Sequence, residues 1–392
     1  PESATRLVIA DNSSVLTELW ALKLNADLSS HADVPRATSQ PLASNAGLVS
    51  RGFQLVGAGF QLQSEAAEDL LLSDPSLKAV IREYRNGKDL ATRPRRIHII
   101  DFGLRDEDEA RAYPVAFDIV RTRVKPERDA NGRASYAKLW WRFGEPRKSL
   151  RTSVDGLSRY IATPQTAKHR YFVFLDASIA PDDMVVAISV DDAFFLGVLS
   201  SQIHVQWSVA AGSRLGVGND SRYTQSTCFS PFPFPHPNKS LRASIAALAE
   251  SLDLHRSAAI GRDKRVTMTG MYNVVEKLRA GEALAPKERT VHELAACGIL
   301  RDMHEQLDAL VAEAYGWQWP LTIEGILERL VALHDDRVAE EVQGLVRWLR
   351  PEFQAPGSNA ASPAAELSLE TATTAIAAVV EPTPWPTPSL PI

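Results

Sequence analysis

The pattern of apolar and polar positions changes character once along the chain. Up to about residue 230, short runs of strand and helix period alternate; from about residue 238 the helical period takes over. TRLVIA (5–10) reads as a strand, and SVLTELWAL (14–22) carries apolar positions at helical spacing. A polar, turn-rich stretch follows to Asn45. In SRGFQLVGAGFQL (50–62), Phe53 and Leu55, then Phe60 and Leu62, flank Val56-Gly-Ala-Gly59. That spacing predicts two strand halves joined by a Gly-Ala-Gly turn. SEAAEDLLLSDP reads as a short helix stopped at Asp74-Pro75, and IHIIDF (97–102) as a buried strand.

Between 110 and 124, Ala112, Val115, Ala116, Ile119 and Val120 fall on one helical face, with Pro114 tolerable only in the first turn. Residues 138–143, 170–176 and 184–190 are rich in aromatic and β-branched side chains and read as strands, with Trp140 and Trp141 on opposite faces. A helix should follow from Asp191, a candidate N-cap. It places Phe195, Leu199, Ile203 and Trp207 four residues apart and stops at Gly212. PFPFPHP (231–237) can be neither helix nor central strand, because its prolines remove donors. It reads as an extended seam between two modules. Beyond it the pattern is helical to about Arg350, and the chain from Ala355 is rich in Ala, Pro, Ser and Thr, as a linker or disordered tail is. The fold class expected is α+β: a mixed α/β module followed by an all-α module.

Composition alters this picture in one respect. The 392 residues are 45% apolar and 23% charged, which fits a soluble globular protein with room for more than one domain. The net charge is −5, yet residues 82–170 hold 21 Lys and Arg against 12 Asp and Glu. A basic middle on an acidic chain suits an anionic partner; a mixed solvated surface is the plainer reading. Cys228 and Cys297 stand alone, which points away from a disulfide framework or a cysteine metal site. No membrane span or signal pattern is visible, so a reducing cytoplasm is expected. Both ends read as cut from a longer protein.

Most catalytic signatures are missing. The glycine run lacks the helix start that a nucleotide or S-adenosylmethionine loop needs. His292-Glu293 and His304-Glu305 lie twelve residues apart and do not form a zinc helix. No Asn-Pro-Pro-aromatic tetrapeptide is present, the arrangement that would hold a flipped base at its amino group. What remains is interleaved basic and aromatic residues. Trp141, Arg142 and Arg147 are candidates for phosphate contact, and Arg170 lies in the run Lys168-His169-Arg170-Tyr171. Arg214, Arg222 and Tyr223, in the turn-rich GSRLGVGNDSRY, are candidates for base or near-base contact. The competing reading makes the aromatics core and the arginines their flanks.

The order of these segments resembles the C-terminal half of the MmeI-like family of bifunctional DNA adenine methyltransferase/restriction enzymes. The residues that carry the resemblance include PLASNAGLVSRGFQLVGAGFQL, AYPVAFDIVRTRVKPERD, LWWRFGEPR, HRYFVFL, FFLGVLSSQIHVQW, SRYTQSTCFSPFPFP and MHEQLDALVAEAYGW. It implies the end of a methyltransferase domain over 1–45, a target recognition domain over 46–237 and a C-terminal helical domain over 238–353, with the tail from 354. It further implies double-stranded DNA as partner, and a methyltransferase domain working in cis or in trans. S-adenosylmethionine is implied for the complete protein, with its loop and the catalytic motif upstream, and no cofactor on this chain. Two other readings stay open: a free-standing DNA- or partner-binding protein, or an enzyme with an unrecognised site.

Overall fold

The computed structural model describes residues 5–10, 15–21, 32–215 and 220–357. The expected Ala- and Pro-rich tail lies, from residue 358, outside the described residues, as do residues 22–31 of the turn-rich stretch. The strands are β1 (Thr5–Ala10), β2 (Val15–Ala21), β3 (Val49–Arg51), β4 (Gln61–Leu62), β5 (Ile81–Arg85), β6 (His98–Ile100) and β7 (Arg159–Pro164). They continue with β8 (Thr166–Ala167), β9 (Val173–Asp176), β10 (Ala180–Pro181), β11 (Val185–Ile188), β12 (Ser213–Leu215) and β13 (Asp220–Arg222). The α-helices of the first part are α1 (Val34–Thr38), α2 (Ser64–Ser73), α3 (Gly87–Ala91), α4 (Glu107–Arg111), α5 (Pro114–Arg123), α6 (Lys125–Asp129), α7 (Ala134–Lys138), α8 (Lys148–Val154), α9 (Ala193–Ser200) and α10 (Gln202–Ala211). The second part is helical: α11 (Lys239–Arg262), α12 (Met268–Ala280), α13 (Pro286–Ala295), α14 (Cys297–Ala314), α15 (Ile323–Val342) and α16 (Pro351–Gln354). The α+β class is as the sequence implies.

β1 and β2 form an antiparallel pair, so 15–21, expected as helix, is strand. Its residues alternate as well as they spiral, and the neighbouring strand decides between the two periods. The other strands make three sheets, in the orders β10-β5-β6-β4, β3-β11-β7-β9 and β12-β13-β8. β7 and β11 are central, and residues 160–164 and 185–188 are all buried, as unbroken apolar strands require.

The glycine run is not the expected hairpin. β3 pairs with β11 while β4 pairs with β6, so the two halves enter different sheets. The glycines serve close packing. A Cβ at Gly52 would lie 2.3 Å from the carbonyl oxygens of Pro181 and Asp182, and one at Gly59 2.7 Å from that of Arg123. Backbone fills the space a phosphate or S-adenosylmethionine would need, so this run does not fit that cofactor.

Three other expectations are corrected. Residues 138–143 are not strand: α7 ends at Lys138, and Trp140 and Trp141 both turn into the core, ring centroids 5.9 Å apart. Their packing, with Phe117 5.1 Å from Trp140, overrides β-propensity. The helix expected over 110–124 is two, α4 and α5, because Pro114 occupies the first position of α5. The helix expected from Asp191 is also two. Asp192 caps α9 by accepting from Phe194 N at 2.8 Å, and Ser201, with ψ of 156°, parts α9 from α10.

α9 (AFFLGVLS) is buried on every side, as its unbroken apolar sequence demands. A Cβ on Gly197 would stand 2.6 Å from Ile245 Cγ2 of α11, so this glycine lets the two helices touch. The seam 231–237 is extended, and 231–235 are buried. Phe232 and Phe234 meet edge to face at 4.9 Å, and Phe234 reaches Phe195 at 5.5 Å. The buried Asn45 amide donates to the carbonyls of Phe229, Ser230 and Phe232. The helical part returns to the start of this region. Glu341 accepts from Ala43 N and Ser44 N at 2.7 and 2.9 Å, Arg36 forms a forked pair with Asp335, and Gln354 donates to Ser44 and Ala46 carbonyls. No helix among the described residues is long and apolar enough to cross a membrane.

Candidate nucleic-acid interface

The small sheet β12-β13-β8 carries two of the candidate residues, Arg214 and Arg222. β13 pairs antiparallel on both sides: Ser221 and Arg222 oppose Ala167 and Thr166, and Arg222 and Ser221 oppose Ser213 and Arg214. Successive residues of a strand face opposite ways. Arg222 therefore opens on one side and Ser221 on the other.

On the Arg222 side lies a cleft of about 670 Å³, whose walls are mainly carbon surface with hydroxyl and amide groups set among it. Gln165, Thr224, Gln225 and Thr227 line it from the sheet and the turn that follows, and Thr38 and Arg51 from across it. The turn is fixed locally, since Thr224 and Thr227 hydroxyls bond to each other and Tyr223 N donates to Gln165 O at 2.7 Å. Arg222 Nε is buried here with no partner among the described residues. A guanidinium without a partner at the wall of an open cleft is suited to a planar acceptor such as a guanine edge or a phosphate.

The other candidates fall into two groups. Arg214 lies in β12, in register with Ser221, while Ser213 is the residue opposite Arg222. Arg170 and Tyr223 support that sheet from inside. Arg170 is 6% exposed; it donates to Thr163 Oγ1 at 3.0 Å, to Ser221 O at 2.8 Å and to the Pro164 carbonyl. Burial lowers its pKa, and its guanidinium stands 5.3 Å from the Tyr223 ring centre. Tyr223 is buried, with its hydroxyl 3.0 Å from His204 Nε2. Burial, aided by the Arg170 charge, pushes His204 down to about 3, and burial raises Tyr223 well above its ordinary value. Both groups are neutral at physiological pH.

Trp141, Arg142 and Arg147 stand elsewhere. Trp141 is buried, its Nε1 donating to Arg105 O at 3.0 Å; Arg142 Nε donates to the same oxygen at 2.8 Å. Arg147 adopts a left-handed backbone (φ 48°) ahead of α8. It donates to Gly52 O at 3.1 Å and to Asp183 Oδ1 at 2.9 Å, and Asp183 also holds Arg51. Trp141, Arg170 and Tyr223 thus face the interior, a correction to their reading as surface contacts: each ring or guanidinium is consumed by an internal partner. Sequence reasoning missed Arg51, Gln165, Gln225 and Thr227. The polar run after Tyr223 was the available signal for the last two; Arg51 meets them only through the fold.

A family model described as the MmeI target recognition domain matches residues 34–236, just over half of the chain. The chain belongs to this family. The match includes the sheet β12-β13-β8, the cleft and every candidate residue named above. DNA methyltransferase A of Bacillus subtilis (strain 168) is 22% identical over 200 residues, covering 50% of this chain and 19% of that relative. A solved structure of the Type IIL restriction-modification enzyme MmeI in complex with DNA shares the fold. Its TM-score is 0.60 at 18% identity, over 86% of this chain and 42% of that one. The chain therefore spans less than half the length of either relative.

Proposed function

We propose that the chain is the sequence-recognising part of a DNA adenine-N6 methyltransferase of restriction-modification type. The match of residues 34–236 to the MmeI target recognition domain carries this reading, and the likeness to an MmeI solved with DNA supports it. Its partner is double-stranded DNA. Arg222 would contact a base from the cleft and Arg214 a base or near-base group from the adjoining strand, while Arg142 and Arg147 would contact phosphates through the guanidinium nitrogens their internal bonds leave over. Arg170, Tyr223 and Trp141 would position these groups. The domain limits proposed are 46–237 for recognition and 238–353 for the helical part.

Methyl transfer would belong to a methyltransferase domain acting in cis or in trans, with S-adenosylmethionine supplying the methyl group there. The present chain has no Asn-Pro-Pro-aromatic sequence, and its glycine run is closed by backbone. A salt-dependent titration of the chain against duplexes of varied sequence tests the proposal. Binding that falls with salt and prefers some duplexes supports it; indifference to both overturns it.

A further inference from the structure

The other face of β13 opens on a second cavity, of about 370 Å³, which shares no lining residue with the Arg222 cleft. It lies where β8 and β13 meet α10, α12 and α14. Its walls bear the cations of Lys168, Arg170 and Arg279 against one carboxylate, Glu276. His304 also lines it and is held neutral, because burial pushes it down to about 3. Tyr272 Oη accepts from Arg256 Nη1 at 2.9 Å and so gives its proton to His304 Nε2, at 2.9 Å. The cavity is thus positive and rich in donors.

Two observations indicate a missing acceptor. Ser200, at the last position of α9 and 5% exposed, lines the cavity with its hydroxyl buried and unpartnered among the described residues. A buried hydroxyl left so is destabilising unless a ligand or water accepts from it. Beside it, Gln202 opens α10, and its side-chain oxygen is taken by Gln206 at 2.9 Å, which leaves its amide NH2 as a donor. Lys168 and His169 are braced at the rim, both bonded to Asn273 Oδ1 at 2.7 Å. Arg279 stands 3.7 Å from Asp308, too far for a hydrogen bond, and so keeps its donors.

We propose that this cavity is a phosphate-binding subsite, with Ser200, Gln202, Lys168 and Arg279 as its donors. Several convergent donors around a net positive lining suit a tetrahedral oxyanion; an apolar ligand would strand them. The phosphate could come from a DNA backbone or from a free phosphate compound, and both use the same donors. The proposal goes beyond sequence recognition, since it requires no duplex.

The test is calorimetric titration of the full chain with inorganic pyrophosphate at low salt. One saturable site is expected, weakened at least tenfold by Arg279→Ala and by Lys168→Ala, and unchanged by Arg222→Ala. If a duplex competes with pyrophosphate, and Arg279→Ala lowers the slope of log K against log salt by about one, the phosphate is a backbone one. If a duplex leaves pyrophosphate binding intact, the ligand is a free phosphate compound. Absence of saturable binding to the wild-type chain, or variants that bind as it does, overturns the subsite. A wild-type chain that binds pyrophosphate but no duplex of any sequence would count against the recognition reading and leave the subsite standing.

Discussion

Two basic regions of the molecule use arginine in opposite ways. In residues 128–151 the side chains act as internal struts. Arg128 is 1% exposed and donates to the Leu55 and Arg142 carbonyls, Arg142 bonds to Arg105 O, and Arg151 forks onto Asp101 at 2.7 and 2.9 Å. Around β13, Arg170 is such a strut, but the side chain of its neighbour Arg222 has no hydrogen-bond or ion-pair partner among the described residues and lines an open cleft. The first region is dense in cations along the sequence, yet Arg128, Arg142, Arg147 and Arg151 there are engaged by main-chain oxygens or carboxylates. The placement of a guanidinium left wholly without a partner beside open space, and not the number of cations, marks the surface that can take a ligand.

The sharpest way to break this comparison is Arg170→Ala. It strips a buried guanidinium from Ser221 O, Pro164 O and Thr163, so urea unfolding should show a loss of roughly 3 kcal/mol or more. A variant as stable as the wild type would mean that Arg170 is no strut. Next comes Arg222→Ala. It should change stability by less than about 0.5 kcal/mol and weaken the preferred duplex by about 1–3 kcal/mol, relaxing one position of the site in anisotropy titrations. Equal weakening for every sequence would place Arg222 on the backbone instead.

A third effect follows from the groups behind the sheet. Burial holds His204 and His304 at about 3, below their ordinary 6.5. Their neutral forms favour the fold above pH 6.5. Below it the unfolded chain takes up protons first, and stability is lost as pH falls toward the folded values. Each such histidine steepens the loss by up to about 1.4 kcal/mol per pH unit. Asp308, raised by burial to about 7, runs the other way and weakens the fold as pH rises from its unfolded value toward 7. His204→Phe should therefore flatten the acid limb of a stability–pH curve, and an unchanged limb would count against the buried, neutral assignment. The smallest effect belongs to Arg142→Ala. Its remaining guanidinium nitrogens would touch phosphate alone, so all duplexes should weaken alike and the salt slope fall by about one. A sequence-dependent loss would blur the line between the two regions.

The helical part was the most legible. Ile245, Ala249, Leu252 and Ala259 fall on one face of α11, and that period is visible without the fold. Arg256 lies on the same buried face, where its Nη2 meets Phe172 O at 2.6 Å, and no pattern announces a buried charge there. The first part was less legible because its short elements are set by distant partners. Trp140 and Trp141 look like strand residues until Phe117 and Arg105 draw them inward. The glycine run looks like a hairpin until two different sheets claim its halves. The candidate site was legible as a neighbourhood, through Arg214 and Arg222. Its far wall was not, because Arg51 and Gln165 approach Arg222 only through long-range strand pairing.

The return of α15 and α16 onto residues 36–46 gives the chain a property of its own. Those anchors, from Arg36–Asp335 to Gln354–Ala46, join stretches about three hundred residues apart, and Gly197 of α9 lets Leu307 of α14 approach closely. The covalent connection through the exposed turn at residues 281–283 is then only one of several ties. A single protease nick in that turn should leave two pieces that travel as one particle in gel filtration and separate only in denaturant. The architecture behaves as a buckled belt, in which the clasp holds as well as the leather.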